Sequence, residues 1–426
     1  MPELHLVLRH RDHPNFHTLA GYQAAGGWAQ FRRVVTELQP AEVLDVVKAS
    51  GLRGRGGAGF PTGLKWSFCP KEVFPKYLVV NNDESEPGTF KDHEITLRNP
   101  QQLLEGIAIS AYAIGANLAY IYSRGEFWQE MAVLDEAIAA ARTAGLLGSG
   151  LFGTDYHLEI HTTPGAGAYI CGEETALLNS LEGELGQPRL KPPFPAVAGL
   201  YAKPTVVNNT ETLANVPLIL EHGAEWYKAI GTEKSPGTKV MCVSGHVERP
   251  GNYEVPLGTP FEELMALAGG VWKGRQLKGV MPAGASSPVI PAELAWTLQL
   301  DWESVAAAGS TLGSASFIVL DETVDMVWVA DKTTRFFKHE SCGKCSPCRE
   351  GTYWMAKLYA RLNGGQGGAE DIALLDDLVR DIDGKCFCPL GEFALSAPRS
   401  TLKLFRADYE RAVKAEVLTE APSEVA

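Results

Sequence analysis

His339-Glu340-Ser341-Cys342-Gly343-Lys344-Cys345-Ser346-Pro347-Cys348-Arg349-Glu350-Gly351 places three cysteines at three-residue spacing in a chain that has only eight. A single tetrahedral zinc takes its thiolates as a close pair plus a distant pair, because one short loop cannot easily wrap three corners of one ion. An iron–sulfur cubane gives each thiolate its own iron, so three ligands from one tight turn suit it well. The fourth ligand must then come from elsewhere. Gly384-Lys385-Cys386-Phe387-Cys388-Pro389 holds the only later candidates, Cys386 and Cys388. The bland alternative is a buried structural thiol cluster.

The rest of the chain has to supply whatever such a cluster would work with. At 426 residues it is long enough for two to four domains. Hydrophobic residues make up 45% and charged residues 21%, as in ordinary globular proteins. A net charge of −13 argues against a general nucleic-acid binder, which needs basic excess to neutralise phosphates. Met1-Pro2-Glu3-Leu4-His5 lacks a cationic region followed by an apolar core, so no signal peptide is expected. The uncharged run from Gly106 to Arg124 reads as a helix followed by a strand rather than a membrane span. A soluble intracellular protein is expected, where clustered thiols mean metal or redox work.

Residues 40–47 read as an amphipathic helix stopped by Gly51. Gly51-Leu52-Arg53-Gly54-Arg55-Gly56-Gly57-Ala58-Gly59-Phe60 follows, with Gly-x-Gly-x-x-Gly at Gly54, Gly56 and Gly59. A helix precedes it where a Rossmann motif needs a strand, so as that signature it is weak. Its physics still suits a nucleotide: glycines let backbone N–H groups approach a phosphate, and Arg53, Arg55 and Lys65 bring positive charge. Phe60, Trp66 and Phe68 argue against bare linker. Tyr77–Val80 reads as a buried strand running into Asn81-Asn82-Asp83-Glu84-Ser85-Glu86-Pro87-Gly88-Thr89-Phe90-Lys91-Asp92, a polar loop where α/β folds place ligands. Helix, strand, helix and strand follow at 101–116, 118–123, 127–144 and 156–162, implying an open α/β sheet.

Pro164 to Leu178 is a second glycine-rich turn opening a helix, with Tyr169, Gly172, Glu173 and Glu174 in it. Adjacent acids at a helix start are commonly dipole-compensating; the functional reading has the N–H groups facing a heterocycle and the acids orienting a second ligand. The stiff segment Pro188–Pro195 carries Arg189 and Lys191. Asn208-Asn209 could bond ring edges or cap the next helix. From Lys239 the strands 240–244, 251–255 and 316–320 with a helix at 261–268 suggest a small α+β module. Helices at 352–362, 370–381 and 400–414 are expected to bundle around the cysteine run, with a disordered tail after Glu416.

Together these stretches resemble the flavin-carrying, NADH-oxidising subunit of bacterial NADH:quinone oxidoreductase (respiratory complex I), from about Gly51 to Pro389. The resemblance implies an α/β multi-domain fold: an N-terminal segment (1–65), a Rossmann-like FMN domain (66–236), a ubiquitin-like β-grasp module (237–330) and a C-terminal four-helix bundle (331–426) holding one 4Fe–4S cluster. It implies FMN contacts at Gly54, Gly56, Lys65, Asn81, Asp83, Ser85, Tyr169, Gly172, Glu173, Glu174, Val207, Asn208, Asn209 and Thr212. It implies NADH near Gly57, Phe60, Phe68, Glu86, Lys191 and Phe194, with Glu86 beside the adenosine ribose. It implies cluster ligation by Cys342, Cys345, Cys348 and Cys388. Hydride transfer needs stacking geometry rather than an acid or base, so Glu173 and Glu174, the catalytic candidates, are expected to position and to set electrostatics.

Three positions depart from the family pattern: Asn82, where alanine is commoner; Pro164, in place of an arginine; and the additional thiol Cys386. The implied partners are a thioredoxin-like 2Fe–2S subunit and the large iron–sulfur subunit of the peripheral arm, on the cytoplasmic side of the membrane. The nearest alternative is the diaphorase subunit of an NAD-reducing hydrogenase or formate dehydrogenase. A zinc-stapled adaptor is the alternative from another class.

Overall fold

A computed structural model of the chain describes residues 3–417; the expected disorder of the tail concerns residues beyond them. Strands β1 (Tyr77–Asn82), β2 (Leu118–Ser123), β3 (Glu159–Pro164) and β4 (Thr205–Asn209) form an all-parallel sheet in the order β3-β2-β1-β4. Parallel strands buried on both faces need continuous apolar runs, and Leu78, Val79 and Val80 are fully buried. The chain steps outward from β1 to β2 and β3, then returns to the other flank of β1 as β4. Connections leaving β1 and β4 therefore diverge, and a crevice opens beyond their C-terminal ends. Asn81 and Asn209 face each other there in register.

The run from Gly106 to Arg124 is indeed the end of a buried helix, Pro100–Ile114, followed by β2. At Gly106 the neighbouring Thr210–Ala214 helix comes so close that a Cβ would collide with the Leu213 carbonyl. No helix among the described residues is long and apolar enough to cross a membrane. Asn82 is buried between elements: its amide donates to Ser123 Oγ (3.1 Å) and its oxygen accepts from Thr210 Oγ1 (2.9 Å). It ties β1 to β2 and to the helix after β4, a packing role.

A second, mixed sheet holds β5 (Thr238–Gly245), β6 (Gly251–Pro256), β7 (Leu277–Ala285), β8 (Ile290–Pro291) and β9 (Ser316–Asp321) in the order β6-β5-β9-β7-β8. Only β5 and β9 run parallel. Helices Phe261–Leu267 and Trp302–Ala307 bury Phe261, Leu264 and Val305 against Phe317. The sequence reading places β5, β6 and β9 and misses β7, whose Gly279, Pro282 and Gly284 read as breakers. The ladder partners of β7 end at Met281, so Pro282 costs no sheet hydrogen bond.

The C-terminal helices Met326–Glu340, Ser346–Asn363, Ala369–Ile382 and Leu390–Leu404 share a core of Met355, Tyr359, Leu375 and Leu395. The single helix expected at 400–414 is a correction: the chain breaks at Phe405 (φ −127°, ψ 39°), separating Leu390–Leu404 from Arg406–Val417. The first of these starts directly after Cys388-Pro389.

Candidate functional site

A cleft of about 1290 Å³ opens at the crevice beyond β1 and β4. Every cofactor-binding residue expected from the sequence lies on its walls. Gly54, Gly56, Gly57 and Phe60 come from the first glycine loop, and Lys65 and Phe68 from the Thr62–Ser67 helix and its C-cap. Asn81, Asp83, Ser85 and Glu86 follow β1, and Val207, Asn208, Asn209 and Thr212 come from β4 and the helix after it. Tyr169, Gly172, Glu173, Glu174, Lys191 and Phe194 close the opposite side.

The glycine loop is preceded by the Pro40–Ala49 helix, not a strand, so it is no Rossmann turn. A Cβ on Gly57 would meet nothing within 4 Å, whereas one on Gly56 would press on Asn209 Cβ at 2.8 Å. Phe60 and Phe68 lie with ring centroids 6.2 Å apart, 46% and 52% exposed, and Phe194 is 57% exposed. Apolar rings left open inside a cleft are the usual lining for a planar ligand. Arg53 and Arg55 do not supply charge here, contrary to expectation. Arg53 donates to the Gly59 carbonyl (2.7 Å) and pairs with Glu303 (2.6 Å). Arg55 is buried, donating to the Tyr227 hydroxyl (2.9 Å) and the Pro236 carbonyl (2.7 Å). These acceptors and the Trp302 ring at the module boundary draw both cations away from the cleft.

Lys65 is the cation of that loop that does face the cleft. It pairs with Glu174 (2.8 Å), which pairs with Lys191 (3.0 Å), which pairs with Glu173 (2.9 Å). Burial works against the Glu174 charge, but Lys65 and then Lys191 outweigh it and hold the carboxyl below its usual range. Glu173 is also the N-cap of the Glu174–Leu181 helix, its Oε2 accepting from Thr175 N (2.9 Å) and Ala176 N (3.0 Å). The capping and site readings of this acid pair hold together. Gly165-Ala166-Gly167 lies outside the cleft, packed against Gly125, so its N–H groups face no ligand space. Pro164 ends β3 and is likewise off the wall.

Asn209 caps its helix by accepting from Glu211 N (3.0 Å) and donates to Asp92 Oδ2 (2.7 Å). Asn208 Oδ1 accepts from Trp66 Nε1 (2.8 Å), and Asn81 donates to the Gly172 carbonyl (2.8 Å). These side chains brace the crevice. Asp83 differs: its Oδ2 is sealed from solvent on the wall without any hydrogen-bond partner. Burial pushes its carboxyl up to about 7, against the Ser85 hydroxyl and Arg124. An orphaned polar atom at a cleft wall is what a polar cofactor would satisfy.

Sequence reading missed the floor. Lys91 and Asp92 line the cleft, and the fully buried Lys91 pairs with Asp92 (2.9 Å) and Glu211 (3.0 Å). Glu211 pairs in turn with buried Lys239 (2.5 Å). Glu84 accepts from Asp92 N (2.7 Å) and His93 N (2.9 Å), fixing the turn into the Lys91–Arg98 helix. The available signal was the charged set Glu84, Lys91 and Asp92 between the end of β1 and the start of the next helix. Ser286 and Ser314 of the second module and Phe393 of the Leu390–Leu404 helix also reach the wall, with no local signal to announce them.

Cys342, Cys345, Cys348 and Cys388 line a small hollow next to the cleft, with Ser341, Lys344 and Leu390. Cys345 is the N-cap of the Ser346–Asn363 helix and Cys348 sits in its first turn; Cys388-Pro389 leads into the Leu390–Leu404 helix. Two positive helix ends thus face the thiols and favour an anionic sulfur group. Phe387 N–H donates to Cys345 Sγ at 3.5 Å and Ser341 Oγ lies 3.2 Å from Cys348 Sγ. Among the described residues no three His, Cys, Asp or Glu side chains are gathered tightly enough to share one ion. Three thiols from one turn and a fourth from the start of another helix are a donor set that suits a group giving each sulfur its own metal. Residues 383–389 are a succession of turns and bends. Cys386 is absent from the hollow's lining, and its Sγ packs where a Cβ on Gly391 would collide with it.

Residues 47–218 match the Nuo51 FMN-binding domain, 328–412 the NADH-ubiquinone oxidoreductase-F iron-sulfur binding region, and 240–283 the SLBB domain. The F 2 subunit of the NADH-quinone oxidoreductase of Rhizobium meliloti (strain 1021) is 52% identical over 406 residues, covering 95% of this chain and 96% of that protein. The F subunit of the Streptomyces coelicolor NADH-quinone oxidoreductase is 50% identical over 394 residues, covering 92% and 87%. A crystal structure of an NAD+-reducing NiFe-hydrogenase in the H2-reduced state is similar over 88% of this chain, with TM-score 0.80 and 37% identity. The chain spans 63% of that hydrogenase chain. With half of all residues shared along nearly the whole length, and FMN-binding and iron–sulfur matches falling on the cleft and the thiol ring, the chain belongs to the family of NADH-quinone oxidoreductase F subunits.

Proposed function

We propose that the chain is the electron-input subunit of a respiratory NADH:quinone oxidoreductase. It oxidises NADH by hydride transfer to FMN and passes the electrons on to a 4Fe–4S cluster. The observation that carries this reading is that Cys388 and Leu390 border both the cleft and the thiol hollow, so the two sites share a wall. FMN, when bound, supplies the two-electron acceptor that can release electrons one at a time to a cluster. The residues supply the rest. Gly54, Gly56, Lys65, Asn81, Asp83, Ser85, Tyr169, Gly172, Glu173, Glu174, Val207, Asn208, Asn209 and Thr212 would hold FMN. Gly57, Phe60, Phe68, Glu86, Lys191 and Phe194 would hold NADH, the open rings offering stacking surfaces. The paired charges of Glu173, Glu174, Lys65 and Lys191 orient and balance; they need move no proton. Cys342, Cys345, Cys348 and Cys388 would ligate the cluster.

The strand order of the second sheet supports reading 237–330 as a ubiquitin-like β-grasp module, and the shared core of the four C-terminal helices supports a four-helix bundle across 331–426. Residues 66–236 would then be the Rossmann-like domain. The segment 1–65 packs Phe31, Val43 and Val47 into the core beneath the parallel sheet and also touches the second module, where the Glu254 carboxylate accepts N–H bonds from Leu6, Val7 and Leu8. A thioredoxin-like 2Fe–2S subunit and the large iron–sulfur subunit would be the partners, on the cytoplasmic side of the membrane. The hydrogenase-diaphorase alternative has weaker support, at 37% identity against 52%.

Gly57→Leu tests the cleft directly. No neighbour opposes the added side chain, so the fold should tolerate it and the melting temperature should stay within a few degrees, as for ordinary surface changes. Ligand space is what it would fill. Overpacking of about 1–3 kcal/mol converts to a rise of about 5–150-fold in the KM for NADH with ferricyanide as acceptor. A parent-like KM would remove Gly57 from the site.

A further inference from the structure

The loop after β1 is gripped from across the cleft by the second sheet. Thr89 Oγ1 lies 2.8 Å from Ser314 Oγ and 2.9 Å from Ser316 Oγ. Gly284 takes φ +67°, and a Cβ there would collide with the Pro87 carbonyl, so glycine lets the end of β7 close onto Glu86-Pro87. Two residues on, Ser286 donates twice to Glu86, its N–H to Oε1 at 3.0 Å and its hydroxyl to Oε2. The Tyr169 hydroxyl donates to the same Oε2 at 2.8 Å. Burial pushes the Glu86 carboxyl up to about 7, and the donors from Ser286 and Tyr169 work against that rise. A carboxylate in this position depends on its donors for both its aim and its charge.

We propose that Ser286 is a specificity-determining positioning residue, which holds Glu86 as an aimed anion so that the cleft rejects a dinucleotide phosphorylated on the adenosine ribose. The proposal rests on the NADH-oxidising reading above and on Glu86 facing that ribose. A ribose diol can donate to an anionic carboxylate, whereas a phosphate on the same carbon meets like charge. Without the Ser286 hydroxyl one charge-assisted hydrogen bond is lost, the carboxyl is freer to turn and to take up a proton, and the repulsion fades. The second module, whose own surface carries no part of the hydride chemistry, thereby sets which nucleotide enters.

The test compares kcat/KM for NADH and NADPH in FMN-loaded holoprotein with ferricyanide as acceptor, for the parent, Ser286→Ala, Ser286→Thr, Glu86→Gln and the Ser286→Ala/Glu86→Gln double variant. Ser286→Ala should narrow the NADH-over-NADPH ratio about tenfold, the size of one hydrogen bond to a charged group, through KM rather than kcat. Ser286→Thr, which keeps the hydroxyl, should hold the parent ratio. In the Glu86→Gln background the serine change should add nothing, because both act on one interaction. Ser286→Ala slowing both nucleotides alike, or narrowing the ratio just as much once Glu86 is glutamine, would overturn the proposal. If the parent oxidises NADH but Glu86→Gln leaves the ratio unchanged, the functional reading stands and the Ser286 proposal falls with the role of Glu86. If the loaded parent oxidises neither nucleotide, the functional reading itself fails.

Discussion

Cys388→Ser should remove or strongly perturb the EPR signal of the reduced cluster while FMN stays bound, and Cys386→Ser should leave that signal as in the parent. Cys388 borders the hollow with the other three thiols, and Cys386 does not. Pro389 fixes the backbone leaving Cys388 and starts the helix whose positive end faces the hollow. Cys386 lies beside Cys345 but outside the hollow's lining, its Sγ packed against Gly391 and directed to the Ile382 carbonyl. A serine at 388 cannot offer a soft thiolate to iron, so the effect should be near all-or-none. The reverse behaviour of the two variants would make Cys386 the ligand.

The second large effect is on stability. Glu211 is fully buried; burial works against its charge, but Lys239 and Lys91 outweigh burial and hold the carboxyl below its usual range. Its oxygens accept from Lys239 Nζ (2.5 Å) and from Val240 N (2.9 Å). Lys239→Met deletes one partner and leaves buried charge short of compensation, which costs about 3–5 kcal/mol. Lys228→Met, which removes an exposed pair with Glu225 (3.3 Å), should cost less than about 1 kcal/mol. Chemical denaturation of the two variants beside the parent checks the contrast. Because Glu211 also holds Lys91 at the cleft floor, Lys239→Met should release FMN at lower denaturant concentration than unfolding of the C-terminal helices requires. Equal losses in the two variants would mean that the network does not brace the site.

Much of the cleft was legible because its residues carry chemistry that local structure does not need. Glycines between aromatics, paired asparagines at a strand end and adjacent acids at a helix start each had a structural explanation, and several of those explanations hold as well. Glu173 does cap its helix and Asn209 does cap the next. What defeated local reading was long-range. Arg53 and Arg55 look like phosphate ligands beside glycine, yet carbonyls near residue 236 and the Trp302 ring, far along the chain, turn them away. β7 hides behind Pro282 and two glycines because its ladder ends before the proline. With β7 unread, Ser286 had no reason to be placed against Glu86, some two hundred residues earlier in sequence. The Leu390–Leu404 helix was lost for a similar reason, since Pro398 lies within it and reads as a stop.

The most direct measurement is the response of the flavin to NADH in protein shown to contain FMN and iron. Under anaerobic conditions NADH should bleach the yellow flavin absorbance, and ferricyanide should restore it with steady turnover of NADH. Protein that holds both cofactors but shows neither bleaching nor NADH-dependent reduction of any artificial acceptor would contradict the account.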